Sequence, residues 1–332
     1  MFRLLRTIGP VGVISIATLV IAIVVQPWLG SYFHYIGMLA LINAIAAIGL
    51  NILTGSAGQI SLCNSSFMAI GAYATTYFYT QLGIVYWLSL PIGAILAAAC
   101  GFILGFPALR LRGFYLAVVT LGFLELTQVL IEQLPDITGG VRGIGSPRPY
   151  LFQYKLSNDL AFYYVVLAIT LVVIFTAVSL LRSPTGRAFN AIRNNEAVAQ
   201  TLGIPVARMK IQAFVLSAFY AGLAGGLYST AVGFIDPLEF GLGTSVRHVI
   251  YIVVGGVGSV GGSVVGAVLL TFLPELLRSF KEYNDFVFGG ILLVCLLTMP
   301  KGLAGLLPKV TGRLWPRSKA VDALGTTVKA VP

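Results

Sequence analysis

The sequence predicts an all-α, polytopic integral membrane protein of roughly 8 to 10 transmembrane helices with broken or re-entrant segments. Three observations carry this. Of 332 residues, 58% are hydrophobic and only 10% are charged, against about 25% charged in an ordinary soluble domain. The charges lie between long apolar runs, so those runs face lipid or one another. The runs also lack the period-two alternation of a barrel, and a backbone in lipid must satisfy its polar groups internally, which favours helices.

The first run, Ile8 to Leu29, follows Arg3 and Arg6 as a signal peptide would. It is long enough to span, at about 33 Å as a helix, and no small-x-small cleavage site closes it, so a retained helix is expected. Further candidate spans are Tyr32 to Leu53, Ser61 to Leu82, Tyr86 to Phe106, Phe114 to Leu134, Leu160 to Leu181, Ile211 to Phe234, His248 to Leu277 and Phe286 to Leu307.

Basic residues set the expected orientation. The segment 182–210 carries Arg182, Arg187, Arg193, Arg208 and Lys210 against Glu196 alone, which places it in the cytoplasm. Counting spans backwards puts the loop from Pro135 to Asp159 outside and the N-terminus inside. Counting forwards through three simple crossings would put the basic tail, with Lys309, Arg313, Arg317, Lys319 and Lys329, outside. The positive-inside rule rejects that. The run from His248 to Leu277 is about 45 Å as one helix, too long for a core of about 30 Å, and Gly255, Gly256, Gly258, Gly261 and Gly262 interrupt it. It is expected to enter and leave on one side, as two short crossings or as a re-entrant hairpin, returning the tail to the cytoplasm. The domain division is a permease body over 1–308, containing the cytoplasmic loop 182–210, and a basic tail over 309–332.

The net charge of +10 follows the positive-inside loops and not a nucleic-acid face. Cys63, Cys100 and Cys295 lie in apolar segments far from His34 and His248, so no metal site is expected. No Gly-Lys pair exists, hence no phosphate-binding loop, and no catalytic set has supporting context. The chain is read as a non-enzyme without a cofactor of its own, and any ATP is used by partner subunits.

Four polar features stand out. Glu125 sits mid-span, as a gate or coupling group or as a packing residue; one acid without a partner is thin support for a proton- or sodium-coupled transporter. The stretch from Thr54 to Ser61, with Gln59, continuing through Asn64, Ser65 and Ser66, is polar beside very apolar spans and either glues helices or lines a hydrated path, the path being favoured because glue needs fewer polar groups. The glycine-broken segment is a candidate for such a path, since irregular backbone at membrane depth needs protein or water around it; the alternative is that Gly258, Gly262 and Gly266, spaced by four, let helices pack closely. In the cytoplasmic loop, Asn190 to Leu202 is expected to form one short helix stopped by Gly203, with Arg193 and Glu196 able to pair along it and Ala199 small enough to seat in a partner's groove.

Several of these segments together resemble one family. They are Gly49-Leu50-Asn51-Ile52-Leu53-Thr54-Gly55, Ala57-Gly58-Gln59-Ile60-Ser61-Leu62, Gly71-Ala72-Tyr73-Ala74, Leu111-Arg112-Gly113-Phe114-Tyr115, Thr120-Leu121-Gly122-Phe123, Thr138-Gly139-Gly140, the cytoplasmic loop and Gly255-Gly256-Val257-Gly258-Ser259. In this order they look like the M-type permeases (LivM) of branched-chain amino-acid ABC importers. Two departures exist: Cys63-Asn64 stands where the family has Gly-His, and Glu196 falls one residue early in the Glu-Ala-Ala coupling pattern that Ala199 and Gly203 fit.

The resemblance implies an inner-membrane subunit with both termini cytoplasmic, paired with a homologous H-type permease, two cytoplasmic ATP-binding subunits and a periplasmic substrate-binding protein. Arg193, Glu196, Ala199 and Gly203 would couple to the ATPases, while Asn51, Gln59, Ser61, Asn64 and Glu125 are candidates for the translocation path. Related permeases serving urea or short amides are the alternative substrate class.

Overall fold

The computed structural model describes residues 30–111, 113–151, 154–155, 159–276, 289–290 and 303. The expected first span, almost all of Phe286 to Leu307, Arg112 and the basic tail lie outside these residues. Among the described residues the chain is built from α1 (Ser31–Leu50), a π-helix (Asn51–Ser56), α2 (Asn64–Thr80), α3 (Tyr86–Arg110), α4 (Phe114–Gln133), α5 (Asp159–Arg182), α6 (Pro184–Asn194), α7 (Glu196–Thr201), α8 (Val206–Val232), α9 (Leu242–Gly255) and α10 (Val260–Leu276). Five helices are long and apolar enough to cross a membrane, and α9 with α10 makes a sixth, bent candidate.

The centre is α8, packed on α1, α2 and α3. Lipid tails are as apolar as the side chains, so burial alone does not bring these helices together; close packing does. Small residues set the spacing. A Cβ on Gly222 would stand 2.5 Å from the Ala97 Cβ, and one on Gly226 would stand 2.6 Å from both the Leu90 Cδ1 and the Thr75 Oγ1. Hydroxyls close one end of the bundle: the Thr76 hydroxyl lies 3.1 Å from that of Ser146 and 3.2 Å from that of Ser229.

Two short ladders cap that end. β1 (Ile144–Gly145) pairs antiparallel with β4 (Phe234–Ile235), and β2 (Tyr150–Leu151) pairs with β3 (Tyr154–Lys155). The first ladder joins the loop between α4 and α5 to the exit of α8, two segments that the basic-residue count puts on the same side. Arg148 fastens the loop further, through a 2.9 Å ion pair with Asp159 and a contact over the Phe162 ring.

Three expected spans change shape. The second ends in a π-helix instead of running straight, and the third becomes helical only at Asn64, leaving 57–63 irregular and largely buried. The segment expected from His248 starts earlier, at Leu242, and bends by 119° at the glycines. It folds back on itself because Gly255 meets Gly262 and Gly266 meets Tyr251, approaches that a side chain would block. α10 runs antiparallel to α1, with Asn43 donating to Thr271 at 3.1 Å and Tyr32 donating to Glu275.

Candidate functional site: two backbone breaks and a short helix pair

The π-helix and the glycine break meet at Asn51. Its Oδ1 accepts from the Gly258 amide at 2.8 Å, while its Nδ2 donates to the Ser259 carbonyl (2.9 Å) and to the Ser263 hydroxyl (2.7 Å). One buried amide thus satisfies backbone groups that the break would leave orphaned, in a place where each orphan is costly. A Cβ on Gly55 would stand 2.6 Å from the Gly258 nitrogen, so the two breaks are in backbone contact.

The irregular stretch is held by a second polar set. The Leu62 amide donates to Thr120 Oγ1 (3.0 Å), the Ser65 and Ser245 hydroxyls are 2.7 Å apart, and Asn64 Nδ2 lies 2.9 Å from His248 Nδ1. Asn64 Oδ1 and the Ser66 hydroxyl are buried without a partner among the described residues.

Below the breaks, 184–201 forms two helices. Asn195 interrupts them: its backbone is extended (φ −161, ψ 112), and its side chain caps α7 by accepting from the Ala197 (3.0 Å) and Val198 (3.2 Å) amides. Capping of this kind is the usual role of Asn before a helix. Ala199, 1% exposed, packs inwards with Ile192 and Val206, while Val198 (52%) and Leu202 (72%) face outwards. Gly203 follows at φ +78, a conformation that favours glycine over a side chain by about 1 kcal/mol or more.

A protein-family model for the branched-chain amino acid transport system permease component matches residues 32–296. The chain belongs to this family. The permease is 38% identical to the LivM high-affinity branched-chain amino acid permease protein of Escherichia coli K12 over 293 residues, covering 81% of this chain and 69% of the relative. It is 26% identical to the LivH permease protein of Salmonella typhimurium (79% and 91% covered), and 28% identical to the autoinducer 2 import permease protein LsrC of an Enterobacter strain (77% and 73% covered). No solved structure matches.

Within this permease the expected site residues separate into groups. Asn51, Gln59, Ser61 and Asn64 come together, buried, around the breaks. Glu125 does not join them: it is exposed on the outer face of α4, in a stripe with Val118, Gly122, Val129 and Glu132. The expected single helix over 190–202 is two helices, because the Asn195 cap competes with helix continuation. Ala199 is small for packing within the permease and not for a partner's groove.

Arg193 and Glu196 do not pair, since the break at Asn195 turns them apart. Arg193 instead donates to the Gly55 carbonyl, and Glu196 Oε1 lies 2.9 Å from Lys210 Nζ. The side chain of Lys210 is 1% exposed. Its contact with Glu196 is an ion pair without hydrogen-bond alignment, and no other described residue accepts from it. Sequence reasoning counted Lys210 only among the basic residues of 182–210, because its partner is set by the fold.

Removing one partner of such a pair strands a buried charge, at a cost of about 3 kcal/mol. Glu196→Gln is therefore expected to lower the thermal midpoint of the detergent-purified permease by several degrees. Adding Lys210→Met should recover most of the loss. A double variant no more stable than Glu196→Gln would mean the ammonium is hydrated.

Proposed function

We propose that this permease is one of two membrane subunits of an inner-membrane ABC importer for branched-chain amino acids, with both termini in the cytoplasm. Separate ATP-binding subunits dock on α6 and α7, a periplasmic protein delivers the substrate, and this chain holds no nucleotide site. Family membership supports the transport role and the pairing with a second permease. The observation that carries the coupling reading is the outward apolar pair Val198 and Leu202, presented on a rigid, self-packed element that touches both backbone breaks.

The path lies between the two permeases, on the α4 side. Glu125 and Glu132 are exposed there and neither forms an ion pair with a described residue, and a carboxylate facing lipid mid-span, as Glu125 would, costs roughly 2.5–3.5 kcal/mol. Gly122, beside them with open space at its Cα, lets a partner helix approach closely. The polar breaks at Asn51 to Asn64 supply the part of the path that moves.

Proteoliposomes test this. Leucine uptake is expected only when both permeases, the ATPases, the binding protein and ATP are all present. Uptake by this chain alone, abolished by an ionophore and by Glu125→Gln, would replace the proposal with a gradient-driven carrier. Impermeant thiol reagents applied to intact cells should label a cysteine at Val141 and not one at Leu202; the reverse pattern would invert the topology.

A further inference from the structure

Arg193 lies near the end of α6 and is exposed as a residue, yet its guanidinium reaches the π-helix. It touches three segments at once. Nη1 donates to the Gly55 carbonyl, in the π-helix. The stem lies on Gly58 so closely that a Cβ there would stand 3.2 Å from the Arg193 Cα and Cγ. The same Nη1 would stand 2.9 Å from a Cβ on Gly258, in the other break. Gly58 and Gly258 both have positive φ (+70 and +88), so glycine meets two demands at each: the backbone conformation, and room for this arginine.

From this juxtaposition we infer that Arg193 is a positioning residue that ties the cytoplasmic helix pair to both backbone breaks, so that a displacement of α6 reaches the π-helix and the glycine break together. The inference rests on the reading of α6 and α7 as the element that the ATPases grip. The physical reason is that a single guanidinium nitrogen donates to the Gly55 carbonyl and also packs beside Gly258, so moving the base of the side chain moves both contacts. Asn51 completes the link, since it already clamps the π-helix to Gly258, Ser259 and Ser263. A push on α6 is thereby carried across a hydrogen-bonded unit and not through a flexible loop.

The test uses the complete importer in proteoliposomes with leucine-loaded binding protein. Arg193→Ala is expected to keep the ATPases bound and hydrolysing ATP, but to raise the ATP consumed per leucine transported at least tenfold. Arg193→Lys, whose compact ammonium keeps a donor but lacks the planar guanidinium that reaches Gly55 and Gly258 together, is expected to lie between the parent and Arg193→Ala. Hydrogen exchange, read without nucleotide, should quicken in peptides covering 51–62 and 255–263 and stay unchanged in the middle of α8. An unchanged ATP-to-leucine ratio, or unchanged exchange at both breaks, overturns the inference. Should Arg193→Ala fail to assemble, Arg193→Lys and the exchange measurement decide it. Loss of the ATPases from Arg193→Ala with exchange unaltered would place Arg193 in the docking surface instead. Docking itself is read separately, on Leu202.

Discussion

Leu202→Asp is expected to abolish ATP-driven uptake while leaving the permease folded and in the membrane. Leu202 is 72% exposed and Val198 52% exposed in the isolated chain, so neither contributes much to its own core. Burying a leucine in a partner's groove is worth about 1.5–3 kcal/mol, and centrally placed apolar residues at interfaces commonly act as hot spots of 2 kcal/mol or more. A carboxylate in that groove adds a desolvation cost. Together these correspond to at least a tenfold weaker grip, read as loss of co-purifying ATPase and of leucine uptake at unchanged membrane levels. Val198→Asp should act in the same direction. Normal co-purification in both variants would show that the ATPases grip another surface. Ala199→Trp is a poor probe of the same question, because Ala199 is buried and a large side chain there would disrupt the helix pair itself.

The second large effect is expected at Asn51. Asn51→Leu keeps the branching and the number of heavy atoms but leaves the Gly258 amide, the Ser259 carbonyl and the Ser263 hydroxyl without the partner they now share. The Ser263 hydroxyl can still donate to the Ser259 carbonyl at 3.1 Å, so the Gly258 amide suffers most. Each buried group left unsatisfied costs about 1–3 kcal/mol, and low dielectric strengthens the penalty. The expected result is a severalfold drop in permease assembled in the membrane and near-complete loss of uptake. Asn43→Leu, nearer the start of α1, removes one bond to Thr271 and should be much milder. Equal effects at the two positions would mean that Asn51 is only one more helix-packing amide.

The legibility of these two sites differs. The exposed pair Val198 and Leu202 sits in a stretch that charge counting already placed outside the membrane, so the element was visible in outline. Its interior was not: the Asn195 cap splits it, which reverses the roles of Ala199, Arg193 and Glu196. Asn51 and the glycine break each stood out as polar or irregular, but 207 residues separate Asn51 from Gly258, and no local pattern shows that they touch. Glu125 shows the converse. Its depth in a span was legible, whereas the face of α4 on which it lies depends on how α4 sets against α2 and α3.

What the sequence determined by itself is whatever lipid and water impose residue by residue. Long uncharged runs must be helical and membrane-embedded, basic loops mark one side, and a glycine-rich run too long for one crossing must break. These constraints act along the chain and need no knowledge of neighbours. Only the tertiary structure decided which polar groups satisfy one another across the breaks, which face of α4 stays open, and that Arg193 reaches Gly55 and Gly258. In a membrane every helix is apolar on most faces, so hydrophobicity gives little preference among packings. The choice falls to close-packed glycines and a few buried hydrogen bonds, whose partners are fixed only when the helices meet.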